Sequence, residues 1–299
     1  QAVTSPQSLV PSLAMVPLPS ESRFTNHESR LEGWLFDVYP SHDGMIVWII
    51  DDHGRAHRLR YRYAPTCYAA GGRNALEAAR QALARLRTPV TLTPTVRREL
   101  MSGTQIPVIA VAVHNPLAFP AAARLLARVP GLTLYNCDIL TVRLFFYETG
   151  LFPLARCAVT CAGDAAREIA LTSRPEDLEY ALPPLTVLRL HLESPGGHSD
   201  DPDDLPTANP SHGRPGRLEA GVDGETVVLD GDDPAETIRS LNRLLQRYDP
   251  DVLLSEWGDP VLLPRLQVLA ARTGIPLQLN RDPVNRVRTR RSRSYTTYG

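Results

Sequence analysis

The chain has 299 residues, of which 43% are hydrophobic and 22% are charged, and its formal net charge is −1 at pH 7. A chain of this length is expected to form roughly two domains, and the composition is typical of a globular protein. The near-zero charge argues against a protein that coats nucleic acid through a basic surface overall. The apolar runs are much shorter than the roughly 20 residues of a membrane-spanning helix, so we expect a cytoplasmic protein without a membrane partner.

The cysteines are too few and too scattered for a disulfide framework in a chain of this length. Cys157 and Cys161 could supply half of a zinc site, but no second pair of Cys or His lies at ligand spacing. We therefore expect free thiols, no metal and no cofactor bound by this chain.

The first part of the chain predicts a leader and then a small α+β domain. Residues 1–30 are rich in Ser, Pro and Gln without periodicity, which indicates a disordered leader. Asn74, with Glu77 three residues later, matches a helix-capping box. Apolar periodicity and turn residues predict these further elements: an antiparallel meander with strands at 33–39, 45–50 and 56–63, a strand at 108–113, a helix at 119–129, a strand at 132–135, and a helix from Asp138 to Tyr147 closed by Gly150. The succession predicts an α+β domain over 31–155 and a linker over 156–182.

The second unit, residues 183–299, begins with an apolar strand and continues through a loop rich in proline, glycine and aspartate. Asp233 is a typical helix N-cap, because proline follows it at the first helical position. The predicted helix is followed by a strand at 252–255 and a helix at 261–273 that ends at Gly274. Strand, crossover helix and parallel strand indicate an α/β unit.

Two segments of this unit carry the most informative pattern. Residues 184–193 read Pro-Leu-Thr-Val-Leu-Arg-Leu-His-Leu-Glu, and residues 249–259 read Asp-Pro-Asp-Val-Leu-Leu-Ser-Glu-Trp-Gly-Asp. Together they resemble the first two motifs of the 3′–5′ exonuclease domain of family-B DNA polymerases. In that family the strand ends Asp-Ile-Glu. The second element reads roughly Asp-Pro-Asp-Val-Leu, three residues, Asn-Gly-Asp, two residues and Asp.

The chain departs from the family pattern at the positions that matter for chemistry. His191 stands where the motif has its first Asp, Trp257 where it has Asn, and Leu262 where it has the last Asp, whereas Glu193 and Asp259 are kept. Two-metal cleavage needs several carboxylates around cations about 3.5–4 Å apart, and histidine is a poor ligand for Mg²⁺. The resemblance therefore implies an exonuclease scaffold whose catalytic site is not intact.

Further segments resemble the same family in the same order, namely 63–68, 131–138, 150–153 and 280–282. The resemblance covers residues 31–299. It implies an α+β N-terminal domain followed by an α/β ribonuclease-H-like, exonuclease-type domain that is incomplete at the C-terminus. The third exonuclease motif and the palm aspartates of the family would lie further on. Mg²⁺ is expected only for the complete polymerase, a nucleotidyltransferase of DNA replication and repair.

An arginine-rich segment lies near the end of the chain. Arginines with nearby aromatic residues suit a surface that follows the backbone of single-stranded DNA, although an unstructured tail would have the same composition. The predicted DNA-binding residues are Arg281, Arg286, Arg288, Arg290, Arg291, Arg293 and Tyr295.

The resemblance predicts the N-terminal and exonuclease-like portion of a family-B DNA polymerase, which guides template DNA and supports the palm. We expect no polymerase and no exonuclease activity from this chain alone. Its expected partners are single-stranded template or primer–template DNA and the remaining polymerase domains or a second polymerase subunit. One alternative is a metal-dependent nuclease rebuilt around His191, Glu193 and the acidic loop 198–204. Another is a non-catalytic accessory subunit that binds single-stranded DNA.

Overall fold

The structure, a computed structural model, describes residues 28–177, 179, 181–193, 217–222, 224–229, 233–255, 258 and 262–282, without the side chains of 192, 193 and 217. Most of the predicted leader lies outside these residues, so its disorder stays a prediction. In chain order the elements are β1 (Ser29–Ser41), β2 (Gly44–Asp51), β3 (Ala56–Tyr61), β4 (Thr66–Gly71), α1 (Arg73–Leu83), β5 (Val90–Arg98), β6 (Gln105–Val113), a 3₁₀ turn (Pro116–Ala118), α2 (Phe119–Leu126), β7 (Leu132–Tyr135), α3 (Thr141–Thr149), β8 (Arg156–Ala162), β9 (Ala165–Leu171), β10 (Val187–Glu193), β11 (Arg217–Val222), β12 (Glu225–Leu229), α4 (Pro234–Tyr248), β13 (Val252–Ser255) and α5 (Leu263–Thr273). No helix of the described part has the length and apolar character that crossing a bilayer requires.

The first body of the fold is a closed barrel with strand order β1-β2-β3-β9-β8. The predicted antiparallel meander of β1, β2 and β3 is confirmed by their pairing. Alternate residues of the strands point inward, and Leu35, Val47, Ile49 and Val159 are fully or almost fully buried there, together with Phe145 of α3.

The linker predicted over 156–182 is wrong over its first half, because β8 and β9 lie there and close the barrel. Every second residue of β8 is buried, namely Cys157, Val159 and Cys161. These are small side chains interrupted by alanine and threonine, so the period-two pattern is weak in the sequence. The pairing that fixes β8 is also distant, since it joins Ser29 to Cys161.

The second body is a sheet with strand order β5-β6-β4-β7, covered on one face by α1 and α2. The predicted capping box is wrong, because α1 begins at Arg73 after Gly72 and has no side-chain cap. A Cβ atom at Gly71 would lie 2.8 Å from the backbone oxygen of Gly131. This close approach fixes the end of β4, and the helix starts so soon after it that Asn74 already lies in the first turn.

The remaining elements of this body follow the predictions more closely. β7 has the predicted bounds, and β6 begins earlier than predicted. The helix expected from Asp138 begins at Thr141, and Gly150 ends it in the left-handed conformation at φ 72°. β5, which contains Pro94, was not predicted.

The third body is a sheet with strand order β12-β11-β10-β13, in which β10 is antiparallel to β11 and parallel to β13. The parallel pairing predicted for 252–255 is confirmed. Asp233 accepts a hydrogen bond from the Ala235 backbone N–H at 2.9 Å, as expected of a helix N-cap. Gly274 ends α5 at φ 68°, although the helix begins at Leu263, later than predicted. The ribonuclease-H-like classification of this body stays a prediction.

Candidate nuclease site and its surroundings

The two segments singled out in the sequence lie side by side. β10 and β13 are parallel neighbours, with Leu188 opposite Leu253 and Leu190 opposite Ser255. Because the two strands run parallel, both reach the same edge of the sheet at their C-terminal ends. The described C-terminal ends of these two strands, at Leu190 and Ser255, therefore lie side by side.

His191 lies at this edge on the side of the sheet that faces away from α4. Leu188 and Leu190 are buried against the helices, at 0% and 3% exposure, so the alternation of the strand places Arg189 and His191 on the opposite face. His191 is partly exposed and stands opposite Glu219 of β11. Glu193 is the last residue of β10, and its side chain is outside the described part.

Leu262 is a core residue. It is 1% exposed and belongs to an apolar cluster with Leu188, Ile238, Leu241 and Leu266. The position where the family motif has a carboxylate is therefore filled by an aliphatic side chain that joins α5 to α4 and to the sheet. A ligand of a metal ion at this point would have to leave that cluster.

The other remnant positions, Trp257 and Asp259, lie outside the described residues. Within the described ranges, no three His, Cys, Asp or Glu side chains are grouped in a way that could hold a metal ion. The predictions of an incomplete catalytic site and of no bound metal stay predictions.

Arg281 is the described member of the predicted DNA-binding cluster, and its guanidinium is bonded inside the protein. Its Nε lies 2.6 Å from Oδ1 of Asp249, and one terminal nitrogen lies 2.6 Å from Oδ1 of Asp251. Asp251 is 1% exposed in its side chain and also accepts the Thr186 N–H at 2.8 Å. Arg281 thus links the C-terminal end of α4 to the start of β13.

The other members of the cluster, Arg286, Arg288, Arg290, Arg291, Arg293 and Tyr295, lie outside the described residues. DNA binding by all members of the cluster, Arg281 included, stays a prediction.

The neighbouring residue, Asp282, is a buried carboxylate between the barrel and the third body. It is 3% exposed and accepts a hydrogen bond from the Tyr39 hydroxyl and another from Nε of Arg58 at 3.1 Å. Trp48 Nε1 donates to the Tyr39 oxygen at 3.1 Å. Burial, and then the hydrogen bond to Asp282, raise the pKa of Tyr39. We call the set Tyr39, Trp48, Arg58 and Asp282 the junction network.

Sequence reasoning did not find the junction network. It noted residues 280–282 only for their resemblance to a family segment. Tyr39 and Asp282 are 243 residues apart in the sequence, and no periodicity or spacing connects them.

A cleft of about 330 Å³ lies beside the junction network. It is formed by β1 and β2 of the barrel on one side and by the end of α4 and the residues after α4 and α5 on the other. Phe36, Tyr39 and Trp48 form its aromatic wall, and Gln246 and Gln278 line the other side. Asp37 also lines it, and burial raises the pKa of this carboxyl although the Val38 N–H bond opposes the shift. The cleft is where a ligand could contact both bodies.

No family model matches the chain, and no curated protein matches it. Among solved structures it is similar to the family B DNA polymerase of the hyperthermophilic archaeon Pyrobaculum calidifontis, with a TM-score of 0.64 and 21% sequence identity. The similarity covers 84% of this chain and 34% of that polymerase. The chain thus has a polymerase-like fold and spans about a third of the length of the polymerase it matches.

Proposed function

We propose that this chain is the N-terminal and exonuclease-like portion of a family-B DNA polymerase, and that it guides template DNA without degrading it. The observation that carries the proposal is the fold similarity over 84% of the chain. It is supported independently by the order of the sequence segments that resemble the same family. DNA and the remaining polymerase domains or a second polymerase subunit are the partners that this function requires.

The loss of exonuclease activity is supported by the residues that stand at the motif positions of the third body. His191 offers an imidazole where a hard cation such as Mg²⁺ prefers oxygen ligands. Leu262 is buried among leucines and isoleucine, so it has neither the oxygen nor the exposure that a metal ligand needs. Glu193 alone cannot position two cations, because each cation needs several ligands.

We expect no shortening of a labelled single-stranded or mismatched DNA primer when the chain is incubated with Mg²⁺ or Mn²⁺. The physical reason is the missing carboxylates at positions 191 and 262. The measurement is the length distribution of the labelled strand over time on a denaturing gel.

The control for this assay is Glu193→Ala, which removes the one motif carboxylate of β10. Shortening that depends on the metal and disappears in Glu193→Ala would contradict the proposal and favour the rebuilt nuclease site. Shortening that persists in Glu193→Ala would come from a contaminating nuclease.

We also expect modest, sequence-independent affinity for single-stranded DNA through the arginine cluster at 281–293. If about four phosphates are neutralised, log K should fall against log salt with a slope near −3, from about 0.7 per phosphate on single strands. Replacing Arg288, Arg290, Arg291 and Arg293 by alanine should flatten this slope and weaken all sequences alike. Fluorescence anisotropy of a labelled oligonucleotide across a salt series measures both effects.

A matched control removes the same charge elsewhere, through alanine at Arg85, Arg87, Arg124 and Arg128, which are exposed in the second body. This variant should keep most of the slope. Replacing Tyr295 should reduce affinity with little change of slope, because stacking releases no counterions. Unchanged binding by the variant at 288–293 would show that the cluster is not the DNA surface.

A further inference from the structure

The sheet of the second body leaves one face without α1 or α2. Both helices pack on the face that carries Cys67, Val111 and Val113. The chain order β4-α1-β5-β6-α2-β7, together with the spatial order β5-β6-β4-β7, is the split β-α-β-β-α-β arrangement. Single-stranded nucleic-acid-binding modules of this topology use the face opposite the helices, where aromatic side chains on the strands stack on bases.

The opposite face of this sheet carries two tyrosines in direct register. Tyr68 of β4 is paired with Tyr135 of β7, so the two side chains lie next to each other on the same face. Tyr68 is also paired with Ala110 of β6, and Ala110 with Thr93 of β5. One row of paired residues thus crosses this face of the sheet, with two aromatic rings on β7 and β4 followed by small side chains on β6 and β5. Both tyrosines are partly exposed.

A cation lies over one of the two rings. The Arg97 guanidinium lies 5.3 Å from the centre of the Tyr68 ring, and Arg97 itself is exposed at the end of β5. A guanidinium stacked on a ring presents a flat charged surface next to the aromatic one. It can stack on a base or pair with a phosphate of the strand that crosses the sheet.

The chemistry of this face fits unpaired bases better than a protein surface. Thr91 and Thr93 are exposed on it, and Ala110 and Ala112 form its floor. Tyrosine and arginine also occur at protein interfaces, so the small side chains beside the rings and the charge of Arg97 are what favour unpaired bases. Small residues beside two rings leave room for a base, and the arginine provides charge complementarity to the sugar–phosphate backbone.

We propose that Tyr68, Tyr135 and Arg97 form a stacking site for single-stranded DNA on the face of the second body opposite α1 and α2. The site shares no residue with the arginine cluster at 281–293 or with β10. It rests on the proposed function only in taking DNA as the nucleic acid. It gives the N-terminal part of the chain its own contact with unpaired template bases.

The test compares a short oligothymidylate with a strand of the same length made of abasic sites, both titrated into the full chain. The two strands have the same phosphate charge, so only stacking distinguishes them. We expect the unmodified chain to bind the base-bearing strand about tenfold more tightly, since one stacked base is typically worth a factor of this order or more. Tyr68→Leu and Tyr135→Leu should each lower affinity for oligothymidylate severalfold and leave the abasic strand unaffected.

Tyr147→Ala is the matched control, because Tyr147 is 71% exposed on α3 and is not part of the row. It should bind both strands like the unmodified chain, and Tyr68→Phe should retain the ring and the affinity. Thermal unfolding of each variant verifies that the second body is intact. Equal binding of the two strands by the unmodified chain, or an equal loss in Tyr147→Ala, would overturn the proposal.

The outcome is distinguishable from failure of the proposed function. If the alanine variant at 288–293 loses its salt dependence while the tyrosine variants bind normally, template guidance stands and this stacking site is wrong. If the tyrosine variants lose base-dependent binding while the arginine variant is unchanged, the stacking site stands and the cluster does not bind DNA.

Discussion

Leu262→Asp is expected to destabilise the third body by about 4 kcal/mol or more, since it removes a buried leucine and leaves an unpaired charge in its place. Leu262 is 1% exposed and contacts the leucines of α4, α5 and β10 in one cluster. A Leu→Ala change at such a site alone costs about 2–5 kcal/mol. Urea-induced unfolding followed by circular dichroism measures the loss.

The pH dependence of this variant gives a second check. Burial in an apolar cluster raises the pKa of an introduced carboxyl above its unfolded value, because the charged form is disfavoured. The destabilisation should therefore be largest at neutral pH and should shrink as the pH falls through the raised folded pKa. An equal loss at all pH values would show that lost packing, rather than charge burial, dominates.

Two variants separate the burial effect from the substitution itself. Leu262→Met nearly conserves volume and should cost less than about 1.5 kcal/mol. Leu182→Asp makes the same chemical change at a residue that is 64% exposed and should cost within about 0.5 kcal/mol. A cost at position 262 no greater than at position 182 would contradict the core role of Leu262.

This result also bears on the lost catalytic site. Restoring the family carboxylates with His191→Asp and Leu262→Asp is expected to give no exonuclease activity. The second change places its carboxylate in the core cluster with Leu188, Ile238, Leu241 and Leu266. The double variant should therefore lose stability without gaining activity, as measured by unfolding and by the primer assay.

Local signals in the sequence predicted the elements that are stabilised locally. The start of α4 was predicted from Asp233 and the following proline, and the N-cap hydrogen bond of Asp233 is present. Gly150 and Gly274 were likewise predicted to end helices. Both do so in the left-handed conformation that glycine adopts readily. In each case the residues that determine the helix end lie within one helical turn of it.

Elements that depend on distant partners were missed or misassigned. β8 and β9 close the barrel by pairing with β1 and β3, and their own sequence contains mainly alanine, cysteine and threonine. The pattern of strand, crossover helix and strand predicted that β10 and β13 are parallel neighbours, and this pairing is confirmed. The junction network and the tyrosine row depend on register between strands, which one sequence does not reveal.

Asp282→Ala is expected to destabilise the contact between the barrel and the third body by about 3 kcal/mol. The carboxylate is 2% exposed in its side chain, and its removal leaves the Arg58 guanidinium and the Tyr39 hydroxyl without this acceptor. Removing one partner of a buried ion pair typically costs about 3–5 kcal/mol, and we expect the lower end because the Arg58 side chain is 31% exposed. Chemical unfolding and the rate of limited proteolysis between the two bodies measure the change.

The strand β3 offers a matched control, because Arg60, two residues from Arg58, makes an ion pair with Asp164 at 2.7 Å in which the side chains are 57% and 59% exposed. Asp164→Ala should change stability little, since solvent and salt screen such a pair. Each pair joins an arginine of β3 to an aspartate from another part of the chain. The aspartate is buried in one pair and exposed in the other. Equal effects of the two substitutions would show that burial of Asp282 does not strengthen the junction.

Tyr39→Phe distinguishes the contribution of the Tyr39–Asp282 hydrogen bond from that of the Arg58–Asp282 ion pair. It removes the hydroxyl donor and also the acceptor for Trp48 Nε1, while the ring still packs in the junction. We expect a smaller loss than for Asp282→Ala, about 1–2 kcal/mol, because the Arg58 ion pair remains. In a double-mutant cycle, the combined variant should lose less than the sum of the two single losses, since both remove the same hydrogen bond. Strict additivity would mean that Tyr39 and Asp282 do not interact energetically.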